Sequence, residues 1–163
     1  VSYAGKTLIS GIGIAAFTPL PHRLEEHRLG STIFVNDSIS TTPEATKAAL
    51  AAYQGHRLAL IGGGHERQQD YGELAGLLAA YGVTTLACLP VTGARLAEAT
   101  RQAAPHITVL AELDLEAAMH ALHRHRDRFD AVILSPGAPS YNQFKNFEQR
   151  GLKFIELAQA IFG

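Results

Sequence analysis

From residue 58 to the C-terminus the chain alternates short apolar runs with longer stretches in which apolar residues recur at helical spacing. Leu58–Ile61, Val83–Leu89, Ile107–Leu110 and Ala131–Leu134 are apolar runs of strand length. A run that is apolar at successive positions, rather than at alternate ones, predicts a strand covered on both faces. Between them, Tyr71–Tyr81, Thr92–Ala103, Leu115–Arg126 and Phe144–Ile161 read as helices, with Gly82 stopping the first and Pro105 lying beyond the second. Upstream, Arg23–Leu29 and Ser31–Val35 flank Gly30 and predict a hairpin. Asn36-Asp37-Ser38 ends the second of these strands. An alanine-rich helix then runs to Tyr53, with Thr41 or Thr42 as its cap, Pro43 in its first turn and Glu44 placed to complement its dipole.

Strand and helix alternating with short links predict an α/β domain: a Rossmann-like, mostly parallel sheet with helices on both faces and one N-terminal antiparallel hairpin strand. Val1–Leu20 is weakly patterned and interrupted by Gly5, Gly11 and Gly13. Residues 1–16 therefore read as a lead-in segment or linker, and 17–163 as the domain. The chain starts at Val1 rather than Met, which reads as a domain cut from something longer.

Composition narrows the partners. At 163 residues the chain is long enough for one core, with 47% hydrophobic residues to fill it. It has no apolar run of membrane-spanning length and no basic-then-apolar leader, so neither a transmembrane helix nor a signal peptide is expected. Cys88 is its single cysteine and lies in an apolar run. It reads as a core residue; disulfides cannot hold this fold, and a reducing, cytoplasmic setting fits. A net charge of −1 does not suggest a basic nucleic-acid surface, though it leaves room for a local patch.

In an open parallel sheet, ligands sit beyond the carboxyl ends of the strands. Three such ends are polar or glycine-rich: Asn36–Thr42, Gly62–Asp70 and Ser135–Asn146. Parallel strands would bring all three loops to one rim. The Gly62-Gly63-Gly64 run either opens backbone N–H groups to a ligand or is simply a tight turn, and the tight turn is the expectation. Arg67 beyond it can fork onto a carboxylate or phosphate. Ser140 is expected to cap the last helix, or else to bind an anion, and Asp37 and Ser38 carry the same ambiguity. There is no GxxxxGK[ST] sequence, so the chain cannot cradle ATP phosphates by a P-loop of its own, and alone it should show no ATPase or ligase activity. No GxSxG elbow supports a hydrolase. His120, His123 and His125 read as a solvated helix face rather than a metal site.

Several of these residues also carry a resemblance. Phe17-Thr18-Pro19-Leu20-Pro21-His22-Arg23-Leu24-Glu25 resembles the lead into the C-terminal domain of Mur ligases, and Asn36-Asp37-Ser38 resembles the step before that domain's first helix. The most specific part is Leu134-Ser135-Pro136-Gly137-Ala138-Pro139-Ser140 followed by Gln143-Phe144-Lys145-Asn146-Phe147-Glu148-Gln149-Arg150-Gly151, which looks like the glutamate-adding, MurD-type members. The resemblance covers residues 17–163. It implies a three-domain, cytoplasmic, ATP- and Mg2+-dependent ligase that adds glutamate to UDP-N-acetylmuramoyl-L-alanine in peptidoglycan synthesis, with nucleotide and metal held mainly by a central domain outside this chain. It implies nucleotide contacts by Arg23 and Asp37, and a glutamate site at Thr41, Ser140 and Phe147 with Tyr141 nearby. Arg67 joins that set as a cation on the glycine loop.

Two departures bear on stereochemistry. D-glutamate-adding members typically carry a lysine after Asn-Asp-Ser, where this chain has Ile39. Their glycine loop typically carries an aspartate and a lysine, where this chain has His65 and Arg67. Arg and Lys do not hold a carboxylate alike. The expectation is an L-glutamate-adding ligase. The alternatives are the D-glutamate-adding enzyme and a non-catalytic binding module that reuses the fold.

Overall fold

The computed structural model describes residues 20–163, so the lead-in proposed for residues 1–16 and the start of the domain at 17 lie outside the described residues. The elements, in order, are β1 (Glu25–Leu29), β2 (Thr32–Asn36), α1 (Pro43–Ala52), β3 (Leu58–Gly62), α2 (Gly72–Leu77), β4 (Val83–Cys88), α3 (Gly93–Ala103), β5 (Thr108–Ala111), α4 (Leu115–Arg124), β6 (Ala131–Leu134) and α5 (Phe147–Phe162), with a 3-10 turn at Arg126–Arg128.

Six strands form one sheet in the order β1-β2-β6-β3-β4-β5. β1 pairs with β2 antiparallel, and every other pairing is parallel. The apolar strand runs are apolar because both faces are covered. On one face Val35, Leu58, Leu60, Leu86 and Ile133 pack with Leu50, Leu74, Leu78 and Leu96 of the α1–α3 side. On the other, Phe34, Ala59, Ile61, Ala87 and Val132 pack with Met119 and Leu122 of α4 and Phe154 and Leu157 of α5. Within β2, β3 and β6 successive buried residues alternate between these two cores, as pleating requires.

Element ends differ from the sequence expectation where a local hydrogen bond outweighs apolar phase. β1 begins at Glu25, not Arg23: Leu24 is left-handed (φ 47°) and its N–H donates to Asp37 Oδ1 at 3.2 Å, so pairing starts with Glu25 opposite Asn36. α2 ends at Leu77, well short of Tyr81; the Gly82 N–H closes a turn onto the Ala79 carbonyl, with Gly82 at φ 92°. α4 ends at Arg124 rather than Arg126. Thr42 caps α1 by accepting from the Ala45 N–H at 3.2 Å, with Pro43 following it. α5 begins at Phe147, because Asn146 rather than Ser140 is its cap and accepts from the Gln149 N–H at 2.8 Å. The Ser140 carbonyl instead accepts from the Gln143 and Phe144 N–H groups in a separate turn.

Candidate functional site

β6 lies between β2 and β3, so the carboxyl ends of these three strands are neighbours. The loops they feed are the three singled out in the sequence, and they meet on one rim. α1 and α5 leave adjacent strands β2 and β6 toward opposite faces of the sheet. That divergence opens the crevice in which doubly wound sheets hold ligands.

Hydrogen bonds knit the loops together. The Gly137 N–H donates to the Ser40 carbonyl at 3.1 Å, and the Gly63 and His65 N–H groups donate to the Pro136 and Pro139 carbonyls, each at 2.8 Å. The Gly64 N–H is taken by Thr92 Oγ1 at 2.9 Å. The amides of the glycine run are thus engaged within the protein, and the tight-turn reading holds over a ligand cradle. Gly63 (φ 103°) has no room for a side chain: a Cβ would strike the Leu89 carbonyl and lie 2.8 Å from Gly93 N.

Asp37 is buried at the base of the first loop. Its Oδ2 accepts from Ser40 Oγ at 2.6 Å and from Ser135 Oγ at 2.8 Å, and its Oδ1 from the Leu24 N–H. Burial pushes the Asp37 carboxyl above its usual range, against the pull of those hydrogen bonds and of the nearby Arg23 charge. Arg23 is exposed. Arg23 and Asp37 line a cavity of about 420 Å³ together with Leu24, Ile39, Ala45 and Ala48. Ile39 therefore faces this cavity and is not among the residues that line the neighbouring pocket.

That second pocket, about 110 Å³, is lined by Thr41, Arg67, Pro139, Ser140, Tyr141 and Phe147. All five residues expected at the amino-acid site are brought together there. Ser140 is 3% exposed, and its hydroxyl makes no hydrogen bond among the described residues. Arg67 is exposed with no ion pair among the described residues, while Tyr141 stands 61% exposed at the mouth. The His65 ring lies edge-on to Tyr141 at 6.1 Å. The arrangement offers a hydroxyl and a guanidinium beside an aromatic wall.

The loop carrying Arg67 is held from α3. Arg95 donates to Glu66 Oε1 at 2.6 Å and to the Gln69 carbonyl at 2.7 Å, and its guanidinium lies 5.1 Å from the centre of the Tyr71 ring. This occupies the Glu66 carboxylate and leaves the adjacent Arg67 unneutralised. The hydrogen bond from Arg95 is the main reason the Glu66 carboxyl falls below its usual range. The Tyr71 hydroxyl donates to the Gly137 carbonyl at 2.9 Å, completing the link to the third loop.

Sequence reading missed Arg95, Gln69 and above all Arg150, which is 1% exposed and reaches from α5 into the first and third loops. One signal was present: Gly151, inside a helix, marks a close approach. A Cβ there would strike His22 Nδ1 and lie 2.8 Å from Asn36 Oδ1. The histidine cluster is also only partly a solvated face. His120 is exposed, but His123 packs edge-on against Phe162 at 4.9 Å and the His125 ring meets the Ala121 carbonyl at 2.9 Å. Among the described residues no group of three or more His, Cys, Asp or Glu is arranged to hold a metal ion. Nor is any of their helices long and apolar enough to cross a membrane.

Comparison with known proteins gives this rim its context. The family model for the Mur ligase glutamate ligase domain matches residues 22–138. The chain is 39% identical over 150 residues to a UDP-N-acetylmuramoyl-L-alanine–L-glutamate ligase of Xanthomonas axonopodis pv. citri (strain 306), covering 88% of this chain and 32% of that protein. It is 38% identical over 153 residues to the ligase of the same name from Salinispora tropica, covering 93% and 34%. It is 36% identical over 143 residues to a UDP-N-acetylmuramoylalanine–D-glutamate ligase of Rubrobacter xylanophilus, covering 84% and 32%. The chain thus spans about a third of the length of these relatives. Among solved structures, the MurF ligase of Thermotoga maritima in complex with ADP superposes with a TM-score of 0.58 at 16% identity, over 91% of this chain and 33% of that one, a likeness of fold alone. With the matched segment running from the start of the hairpin to the third loop of the rim, the chain belongs to the Mur ligase family, as its glutamate ligase domain.

Proposed function

We propose that this chain is the C-terminal, amino-acid-binding domain, residues 17–163, of a cytoplasmic ATP-dependent ligase that joins L-glutamate to UDP-N-acetylmuramoyl-L-alanine in peptidoglycan synthesis. The observation that carries the reading is the convergence of Thr41, Arg67, Ser140, Tyr141 and Phe147 on one small pocket at the switch point of the sheet. Its volume, about 110 Å³, is far below the ~300–1,000 Å³ of sites for drug-sized ligands and suits an amino acid. Glutamate brings two carboxylates, a methylene stem and one amine. Arg67 and the Ser140 hydroxyl supply donors for the carboxylates, and Phe147 supplies the wall for the stem. No acidic side chain lines the pocket to hold the amine. The amine is thus left to face the acyl phosphate made from the substrate carboxylate, and its attack gives a tetrahedral intermediate that collapses to the amide and phosphate.

The larger cavity beside Arg23 and Asp37 is assigned to the nucleotide. Arg23 contributes a cation, and the alanines of α1 contribute an apolar wall. Asp37 already accepts three hydrogen bonds, so its part is to fix the loop and present a polar edge. Among the described residues no group of three or more His, Cys, Asp or Glu is arranged to hold a metal ion, and none of them is assigned to the Mg2+ that accompanies ATP. The preference for L-glutamate rests on the names of the relatives and on His65 and Arg67, rather than on Ile39. The test is single-turnover ligation by the full-length protein with UDP-N-acetylmuramoyl-L-alanine, ATP and either enantiomer at equal concentration. Faster incorporation of L-glutamate is expected. Faster D-glutamate would overturn the stereochemical assignment, and no product with either would overturn the ligase reading.

A further inference from the structure

Arg150 sits on α5 one turn beyond Phe147, with its guanidinium wholly inside the protein. Nε donates to Ser38 Oγ at 2.9 Å, Nη2 to the Ser38 carbonyl at 2.7 Å and Nη1 to the Ala138 carbonyl at 3.0 Å. All three acceptors are neutral. Among the described residues no carboxylate lies within ion-pair distance of it. Burial lowers its pKa to about 10, which leaves it charged at neutral pH. A buried charge without a counter-charge is costly, so its retention calls for more than a tie between loops that a neutral amide could make.

Its partners lead directly to the small pocket. Ser38 Oγ, while accepting from Arg150, donates to the Phe147 carbonyl at 2.8 Å. Ala138 immediately precedes Pro139 and Ser140 in the chain, and Thr41 follows three residues after Ser38. Nη1 also lies against Gly64, where a Cβ would come within 3.3 Å of it. One planar fork thus spans the first loop, the third loop and the backbone of the second. Gly151 allows this reach by letting α5 settle onto His22 and Asn36.

We propose that Arg150 is the positioning residue of the amino-acid pocket: it fixes the separation of Thr41, Ser140 and Phe147 by bracketing Ser38 and Ala138, and it places an uncompensated positive charge behind the pocket that favours an anionic amino acid. The proposal rests on the glutamate reading. It acts through neighbouring groups and touches no substrate itself.

The test compares the full-length ligase with its Arg150→Met, Arg150→Lys and Ser38→Ala variants for glutamate KM, ATP KM, kcat and melting temperature. Arg150→Met should raise the glutamate KM about tenfold or more, with the ATP KM held within about twofold. Arg150→Lys keeps the charge but cannot span Ser38 and Ala138 together, and should recover part of the loss. Ser38→Ala, which keeps the backbone tie, should give a smaller rise in glutamate KM alone. This variant carries the test if Arg150→Met does not fold. The proposal is overturned if glutamate and ATP KM rise together, if activity falls only with the folded fraction at unchanged KM, or if Ser38→Ala leaves the glutamate KM unaltered. A wild-type enzyme that does not ligate glutamate brings down both this proposal and the reading beneath it. Normal wild-type kinetics beside unaltered variants bring down the role of Arg150 alone.

Discussion

The Gln69 side-chain amide donates to the Thr41 carbonyl at 3.0 Å, joining the loop after β3 to the loop after β2 directly above the small pocket. The same nitrogen lies 3.4 Å from the Gly137 carbonyl, so one side chain touches both of its neighbouring loops. Losing a neutral hydrogen bond of this kind costs about 0.5–1.5 kcal/mol. Gln69→Ala in the full-length ligase should therefore raise the glutamate KM roughly 2- to 10-fold. The ATP KM should hardly move, because Gln69 does not line the cavity of Arg23 and Asp37. Steady-state kinetics in both substrates checks this, and an effect on ATP alone would contradict it.

Ser140 and Arg67 are expected to contribute more, since each is proposed to donate to a ligand rather than to a loop. Ser140→Ala and Arg67→Ala should each raise the glutamate KM by about 1–3 kcal/mol of lost contact, or roughly 5- to 150-fold. Unchanged glutamate kinetics in both would show that these side chains only shape their loops.

Glu25 should leave a mark on acid stability. Burial opposes ionisation of its carboxyl, but the His22 N–H at 2.8 Å and the His27 ring at 2.7 Å outweigh that and hold it below the usual 4.5. A carboxyl depressed in the folded state stabilises it above the unfolded value, and that contribution is lost as pH falls through the folded value. Thermal melts across about pH 5 to 2 should show a downward slope in wild type that is shallower in Glu25→Gln. Parallel slopes would remove Glu25 from the account.

Burial pushes the Cys88 thiol up to about 12, and the side chain is 3% exposed in the core between β4 and the α1–α3 side. Because the thiolate is the reactive form, iodoacetamide should leave native protein unmodified at neutral pH and alkylate it once denatured. Mass spectrometry distinguishes the two, and stoichiometric labelling of the native chain would contradict the packing.

Much of this fold was legible in the sequence because its parallel strands are covered on both faces. Leu58–Ile61 and Ala131–Leu134 could hardly be anything but central strands, and both are. The rim was legible for the same reason, since parallel strands fix which loops share an edge. The start of the last helix was not, because Phe144 continues the apolar phase of α5 while the carbonyl of Ser140 and the side chain of Asn146 decide where the helix begins. Arg150 and Arg95 were illegible for a different reason: an arginine on a helix reads as a solvated charge until tertiary structure supplies the oxygens it meets. The position of Ile39 was illegible in the same way, since its place in the sequence beside Ser38 does not say which of two adjacent cavities it lines.

The pocket of Thr41, Arg67, Ser140 and Phe147 is expected to hold the incoming glutamate. The most direct measurement is a crystal structure of the full-length ligase with glutamate, UDP-N-acetylmuramoyl-L-alanine and a non-hydrolysable ATP analogue. Glutamate carboxylates are expected within hydrogen-bonding distance of Ser140 Oγ and the Arg67 guanidinium, with the stem against Phe147 and the nucleotide beside Arg23 and Asp37. Glutamate bound in the Arg23–Asp37 cavity, or away from this rim altogether, would contradict this assignment.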